Sequence, residues 1–232
     1  MPRRARLAVP GIPWHIIQRG NNRSTCFITD VDCENYLSIL NEQAMQYGCA
    51  VHAYVLMSNH IHLLLTPAEV DSAAQLMKQL GQRYAQYINR TYKRTGTLWD
   101  GRFRSCLTQN EEYVLSCYRY VELNPVRVNL AKHPCEYRWS SFQANANGKA
   151  NDYLRLTPHA EYLRLGTSIT SCQHAYRSLF HSRLDPKRVT EIRNATNGNF
   201  VLGDKKFQQH MARKLNRRVT PGKSGRPVRV FR

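Results

Sequence analysis

The chain has 232 residues, 42% of them hydrophobic, which is enough for one or two domains with a core and excludes a wholly disordered protein. No apolar run approaches the ~18 residues of a membrane helix, and we expect no secretory signal because Pro10 and Pro13 interrupt the apolar run after the basic N-terminus. The 34 Lys and Arg against 16 Asp and Glu leave a net charge of +18, which favours a nucleic-acid partner over a solubility charge or a membrane-surface patch.

Strand-like and helix-like patterns alternate through the first half of the chain. In chain order they predict a strand over 14–19, a helix over 30–47, strands over 50–57 and 60–66 that form a hairpin, a helix over 71–94, a strand over 97–107 and a helix from 108 to about 124. Gly48 ends the first helix, and Thr108 to Glu111 match a capping box for the last. This order predicts an α+β fold, a ferredoxin-like antiparallel sheet with helices on one face.

The pattern changes after residue 147. A polar stretch predicts a linker, helical periodicity follows over 157–165, 168–180, 185–195 and 204–215, and the end of the chain is basic and rich in Gly and Pro, which predicts disorder without a partner. After residue 150 there are 17 Lys and Arg against 5 Asp and Glu, so positive charge is denser there. We predict a first domain over 1–147, a linker over 148–156, a helical extension over 157–215 and a basic tail over 216–232.

Seven cysteines occur without a Cys-x-x-Cys pair. An odd number without such pairs indicates a reduced protein with neither a zinc cluster nor a disulfide framework. We therefore expect a cytoplasmic protein.

His60 and His62 lie two residues apart in the predicted strand 60–66. Side chains at i and i+2 project from the same face of a strand, so both imidazoles point one way and Ile61 points the other. Two imidazoles so placed can hold one divalent metal ion if a third ligand comes from elsewhere in the fold. The pattern alone favours a simpler interpretation, two histidines on a solvated strand face with Ile61 in the core.

Tyr120 and Asn124 lie four residues apart, one helical turn, on the helix that precedes Pro125. A phenol and a carboxamide on one helix face suit metal-assisted phosphoryl transfer, with the tyrosine oxygen as nucleophile and the asparagine carbonyl as a third ligand. Tyr113 and Tyr118 lie on the same helix, so spacing does not choose among the tyrosines. Pro125 also disfavours helical geometry at Asn124, which is a common residue at a helix end.

Five separated motifs occur together in this chain. They are Gln18-Arg-Gly-Asn-Asn-Arg23, Val55-Leu-Met-Ser-Asn-His-Ile-His-Leu-Leu-Leu-Thr66, Leu98-Trp-Asp-Gly-Arg-Phe103, Tyr120-Val-Glu-Leu-Asn-Pro-Val126 and Glu136-Tyr-Arg-Trp-Ser-Ser141. In order and spacing they resemble the motifs of the single-tyrosine HUH transposases and, within these, of the REP-associated tyrosine transposases. The resemblance covers about residues 1–145, and no single motif would suffice for it.

The resemblance implies an HUH catalytic domain over 1–147, with Tyr120 rather than Tyr118 as the nucleophile, His60 and His62 as the metal pair and Asn124 as a further ligand. It implies Mg²⁺ or Mn²⁺ as the cofactor, a 5′-phosphotyrosine intermediate with a free 3′-hydroxyl, and no nucleotide cofactor. The implied partner is single-stranded DNA with palindromic repeat hairpins. Relatives act as homodimers or monomers, so the oligomeric state stays open. We expect a bacterial cytoplasmic protein associated with the nucleoid and with no membrane partner.

Basic and polar residues outside the metal pair are candidates for contacts with DNA. They are Arg19, Asn21, Asn22, Arg23, Arg102, Arg104, Arg217, Arg218 and Arg226. Arg226 lies in a Gly-Arg-Pro motif that resembles the core of an AT-hook, and the extension over 157–215 resembles the helix-turn-helix-type duplex binder of longer family members. For any single arginine, the simpler interpretation is a solvated surface charge.

Four functions compete at this point. The main hypothesis is a metal-dependent enzyme that nicks DNA and transfers strands through Tyr120. The principal alternative is a DNA-binding protein that recognises repeat hairpins without cutting, and charge alone would also suit an RNA-binding or ribosome-associated protein. His60, His62 and Tyr120 together favour the enzyme over both. A hydrolase that uses a metal-bound hydroxide would keep the histidines but form no protein–DNA adduct.

Overall fold

A five-stranded sheet forms the centre of the computed structural model, which describes residues 5–222. The strands are β1 (Trp14–Arg19), β2 (Cys49–Met57), β3 (His60–Pro67), β4 (Arg104–Thr108) and β5 (Val201–Leu202), in the order β2-β3-β1-β4-β5. The first four strands pair antiparallel, whereas β5 pairs parallel with β4. In the β1–β3 register, Ile17 lies opposite His62 and Arg19 lies opposite His60.

Two groups of helices cover the two faces of this sheet. The helices are α1 (Asp30–Gln46), α2 (Ser72–Thr91), α3 (Glu112–Glu122), α4 (Asn124–Arg127), α5 (Phe142–Asn147), α6 (Ala160–Leu163), α7 (Ile169–Ser178), α8 (Pro186–Gly198) and α9 (Lys205–Lys214). Helices α1 and α2 pack together on one face, while α3 lies over β2 and β3 on the other and α8 lies over β4. Within residues 5–222, no helix has the length and apolar character needed to cross a membrane.

The predicted α+β class is confirmed, with two corrections. The sheet is mixed rather than wholly antiparallel, and helices cover both of its faces rather than one. The reason is that the central strands are apolar on both sides: Leu63 packs with α1 and α2, while its neighbour Leu64 packs with α3 and α8. A sheet with two apolar faces needs a helical layer on each.

The predicted start of α3 is wrong. Thr108 is buried at the end of β4, where it pairs with Leu202, so it does not cap a helix. Helix α3 begins at Glu112, after Glu111 adopts a positive φ of 64°. The strand predicted over 97–107 is also shorter than expected, since β4 begins only at Arg104.

The residues after 147 fold onto the same cores as the residues before them. The predicted linker forms neither helix nor strand, yet Leu154 is buried in the core. The four helices predicted in the extension are found as α6 to α9, and β5 joins the sheet. Val219, in the predicted disordered tail, is buried and its carbonyl accepts a hydrogen bond from the Val201 N–H at 2.9 Å. The boundary predicted at residue 147 therefore does not separate two cores, and residues 223–232, with Arg226, lie outside the described residues.

A buried carboxylate ties α3 to the segments that follow it. Glu122 Oε1 accepts hydrogen bonds from the Ser141 hydroxyl at 2.6 Å and from the Asn145 amide at 2.8 Å. Glu122 Oε2 accepts one from the Tyr176 hydroxyl of α7 at 2.6 Å. Burial raises the pKa of Glu122 from 4.5 to about 7, although the three hydrogen bonds favour the charged form.

We expect Glu122 to make the protein less stable as the pH rises from about 4.5 to about 7, because the folded chain retains a proton that the unfolded chain has released. The shift corresponds to about 3 kcal/mol in the free energy of unfolding. Glu122→Gln removes this dependence, so the variant should gain stability relative to the wild type as the pH rises through this range. Urea unfolding across the range measures the gain.

The comparison with the wild type is needed because the buried His15 and His62, whose pKa values are lowered, contribute a pH dependence of opposite sign to both proteins. Glu112→Gln, at an exposed carboxyl of the same helix, is the matched control. Parallel stability curves for the wild type and Glu122→Gln would contradict the expected protonation of Glu122.

Candidate functional site

A pair of histidines lies on the sheet face that α3 covers. His60 and His62 alternate with Ile61 along β3, so both rings lie on this face, with their centroids 5.2 Å apart. Ile61 is buried on the opposite face. His62 is only 3% exposed and His60 is half-buried. The simpler interpretation, a pair on a solvated strand face, does not describe this geometry.

The three tyrosines of α3 point to different surroundings. Tyr120 is edge-on to His15 and His62, Tyr118 accepts a hydrogen bond from the backbone N–H of His159 at 3.1 Å, and Tyr113 stacks against Arg188. The ring centroids of Tyr120 and His62 are 5.6 Å apart. Packing therefore favours Tyr120, because its ring is the one of these three that contacts a histidine of the pair, His62.

Asn124 follows Tyr120 without a break in the helical path. Helix α3 ends at Glu122, but Leu123 keeps φ −81° and ψ 0°, so α4 continues directly from it. Pro125 is tolerated because it occupies the first turn of α4, where its missing N–H would be unpaired in any case. The Asn124 side chain is within hydrogen-bonding reach of His60, and its Nδ2 is buried without a partner among residues 5–222.

The donor atoms fit a divalent metal ion. The Nδ1–H of His60 donates to Asn59 Oδ1 at 2.7 Å, and Nδ1 of His62 hydrogen-bonds His15 Nε2 at 2.9 Å. Because Nδ1 is engaged in each ring, Nε2 is the nitrogen that can face a metal ion. Among the described residues, no group of three or more His, Cys, Asp or Glu is arranged to hold a metal. A third protein ligand would therefore be of another type, and Asn124 offers an amide oxygen beside His60.

The surroundings keep the imidazoles neutral. Burial, and then the charges of Arg19 and Arg127, lower the pKa of His60 to about 4. Burial, and then the neighbouring His15 and His60, place the pKa of His62 well below its usual 6.5. A neutral imidazole keeps the lone pair that binds a metal, so both histidines are in the ligating form at neutral pH.

Arg127 is a site residue that the sequence analysis missed. Its guanidinium carbon lies 3.9 Å from the centre of the Tyr120 ring, and its side chain hydrogen-bonds Tyr120. Nε and Nη1 are buried without a hydrogen-bond partner in the described part of the chain. Because an unpaired buried cation is costly, the arrangement suits an anionic ligand. Sequence spacing could have pointed to Arg127, because it follows Tyr120 by seven residues, which is two helical turns.

His15 was also missed. Its ring is nearly parallel to that of His62 and is joined to it by the hydrogen bond from ring nitrogen to ring nitrogen, with centroids 5.1 Å apart and an interplanar angle of 6°. The alternation along β1 places His15, Ile17 and Arg19 on one face, so the strand pattern carried a signal. The partner of His15 on its other side is Thr196 of α8, 181 residues later, and no local pattern links the two.

Three of the predicted DNA-binding residues border one groove beside the histidines. Arg19, Arg102 and Arg104 line it together with Asp100 and Asn197. Arg104 Nη1 donates to Asn197 Oδ1 at 3.2 Å, across the groove between β4 and the end of α8. Because Arg19 lies opposite His60 in the sheet register, the groove opens beside the half-buried end of the histidine pair.

The other predicted DNA-binding residues lie elsewhere. Asn21, Asn22 and Arg23 form a short 3₁₀ turn directly after β1, with Asn22 and Arg23 exposed. Arg217 is half-buried and donates to backbone carbonyls near the N-terminus, at 2.9 Å to that of Ala5 and 3.4 Å to that of Arg6, which is a structural contact. Arg218 is exposed on the surface.

Comparisons with known proteins point to one family. The family model described as "Transposase IS200 like" matches residues 8–124, half of the chain. The fold resembles a REP-associated tyrosine transposase bound to a REP hairpin, with a TM-score of 0.55 and 17% identity over 69% of this chain and 96% of that chain. A candidate transposase from Deinococcus radiodurans R1 is 21% identical over 56% of this chain and 92% of that chain, with a TM-score of 0.37. No curated protein matches the chain.

Proposed function

Because the chain belongs to the IS200-like transposase family, we propose that it is a metal-dependent endonuclease and strand transferase for single-stranded DNA. It acts at palindromic repeat hairpins and works through a 5′-phosphotyrosine intermediate. The observation that carries the proposal is the position of Tyr120, edge-on to His62 and one helical turn before Asn124. A candidate nucleophile and three candidate metal ligands thus lie close together.

In the proposed step, the Tyr120 oxygen attacks the phosphorus of a phosphodiester as the phenolic proton is lost. The bond from phosphorus to the 3′ oxygen breaks, that oxygen gains a proton, and the strand on the 3′ side stays on Tyr120 as a 5′-phosphotyrosine. The bond energy is kept in this link, so no nucleotide cofactor is required. Attack by a 3′-hydroxyl on the same phosphorus reverses the step and joins strands.

The residues around Tyr120 orient the phosphate and the nucleophile. His60, His62 and Asn124 would hold Mg²⁺ or Mn²⁺, which when bound supplies positive charge at the non-bridging phosphate oxygens. Imidazole ligands suit Mn²⁺, whereas Mg²⁺ prefers oxygen ligands. Arg127 lies over the Tyr120 ring, and its Nε and Nη1, which have no partner among residues 5–222, would donate to the phosphate.

Removal of the Arg127 guanidinium should slow cleavage strongly. We expect Arg127→Ala to lose about 10²- to 10³-fold in cleavage rate, because a buried donor to the developing charge is lost. Arg127→Lys should recover only part of the rate, since an ammonium cannot both stack on Tyr120 and donate as a planar fork. Single-turnover cleavage with saturating DNA measures this, and Arg138→Ala, at an exposed arginine paired with Asp30, is the control. An unchanged cleavage rate in Arg127→Ala would show that Arg127 takes no part in the reaction.

The groove lined by Arg19, Arg102 and Arg104 supports a DNA substrate, because it is basic and opens beside His60. The structurally similar transposase was described bound to a REP hairpin, and we extend hairpin binding to this chain as part of the proposal. We propose that the site is complete within one chain, because the rings of Tyr120 and His62 contact each other there.

Covalent capture tests the proposed function. The protein is mixed with 5′- and 3′-labelled hairpin oligonucleotides from repeats that flank its own gene, with Mg²⁺ or Mn²⁺, and run on a denaturing gel. A metal-dependent covalent band that carries the 3′ label supports the tyrosine mechanism. Cleavage without that band would point to a metal-bound water, and tight binding without cleavage would favour the alternative of a non-cutting hairpin binder.

A further inference from the structure

Helix α8 lies outside the residues matched by the family model, yet one of its side chains hydrogen-bonds into the histidine cluster. Thr196 Oγ1 is 2.8 Å from His15 Nδ1, and His15 Nε2 is 2.9 Å from His62 Nδ1. All three side chains are buried, and His15 has no exposed surface. The contacts run from α8, through β1, to a candidate metal ligand on β3.

The hydrogen bond from the Thr196 hydroxyl to the Ile192 carbonyl determines the direction of the two hydrogen bonds of His15. The Thr196 hydroxyl donates to the Ile192 carbonyl at 2.8 Å, so its oxygen accepts the proton on His15 Nδ1. A neutral imidazole has one N–H, and His15 Nε2 must therefore accept from His62 Nδ1. Cys106 Sγ, 3.3 Å from the same hydroxyl oxygen, can add a weak S–H donor without changing this order. The lone pair of His62 is left on Nε2.

The geometry points to Thr196 and His15 as positioning residues that hold His62 in the Nδ1–H tautomer, with Nε2 free for a divalent metal ion. This inference rests on the proposed metal site at His60 and His62. Without the Thr196 hydroxyl, the proton of His15 can move to Nε2 and donate to His62 Nδ1. His62 then carries its own proton on Nε2, where it blocks the metal.

Partners of this kind typically change metal affinity 10- to 100-fold. We expect Thr196→Val to weaken Mn²⁺ binding by about this factor, and Thr196→Ser, which keeps the hydroxyl, to stay within about threefold of the wild type. Mn²⁺ titration followed by electron paramagnetic resonance measures the affinity without DNA or turnover. The matched control is Thr190→Val, because the exposed Thr190 makes the same bond to the carbonyl four residues earlier, Pro186, at 2.9 Å.

The tautomer itself is read from long-range ¹H–¹⁵N spectra of the metal-free protein labelled at histidine. The wild type, Thr196→Ser and Thr190→Val should show His15 and His62 protonated at Nδ1, and Thr196→Val should show a population protonated at Nε2. If Thr196→Val is less stable but keeps the His62 tautomer and the Mn²⁺ affinity, Thr196 is only structural and the inference is overturned. If the wild type binds no Mn²⁺, the proposed metal site fails together with the inference, which is a different result from equal binding by both proteins.

Discussion

Tyr120→Phe should abolish the covalent protein–DNA adduct, with a loss on the order of 10⁴-fold or more, while folding and DNA binding persist. The variant loses only the phenolic oxygen, the attacking atom of the proposed step. It keeps the ring that packs against His15 and His62. Denaturing gels with 3′-labelled hairpin DNA measure the adduct, and filter binding without metal measures the affinity for DNA.

Tyr118→Phe is the matched control, because it removes the same atom from the same helix. Its buried hydroxyl accepts a hydrogen bond from the His159 N–H at 3.1 Å, so we expect a loss of about 1 kcal/mol in the free energy of unfolding and an intact adduct. The two variants should thus separate activity from stability. Loss of the adduct in Tyr118→Phe alone would mean the right chemistry on the wrong residue.

Replacement of either histidine of the pair should have the second large effect. We expect His60→Gln and His62→Gln each to lower metal-dependent cleavage by more than about 100-fold, since even outer partners of a metal ligand cost 10- to 100-fold. Binding of hairpin DNA without metal should change little, because the groove arginines stay in place. Cleavage rates at increasing Mn²⁺ and a direct Mn²⁺ titration measure the two losses.

His52→Gln is the control for these variants, because His52 is a buried histidine outside the site. It hydrogen-bonds the Thr157 carbonyl at 2.6 Å and the Thr66 hydroxyl at 2.8 Å. We expect it to lower stability and to leave Mn²⁺ affinity unchanged.

A mixture of Tyr120→Phe with His62→Gln should stay inactive if one chain supplies the whole site. Recovered cleavage would show that chains exchange α3. For the single variants, unchanged Mn²⁺ affinity in both His60→Gln and His62→Gln would show that the histidine pair does not bind the metal.

Local periodicity carried much of the fold and part of the site. Alternation along a strand specifies which face each side chain takes, so His60 and His62 were placed together before any packing was known. Helical spacing in the same way placed Asn124 one turn after Tyr120. The helices of the extension were also predicted, since each has its own apolar stripe.

Other features depend on which surfaces meet, and periodicity carries no information about that. Tyr113, Tyr118 and Tyr120 are equivalent by spacing, and α3 packing over β3 is what brings Tyr120 to the histidines. The capping box predicted at Thr108 is wrong because Thr108 pairs with Leu202 of β5, a strand far later in the chain.

The identities of the nucleophile candidates and of the histidine pair were therefore encoded locally, in side-chain type and in the periods of strand and helix. The surroundings that tune them were not. Thr196 lies 181 residues after His15, to which it is hydrogen-bonded, and Nε and Nη1 of Arg127 are buried without a partner among residues 5–222. Such contacts arise when the C-terminal segment folds back over a sheet with two apolar faces, and burial of those faces, rather than any local pattern, determines where each side chain comes to lie.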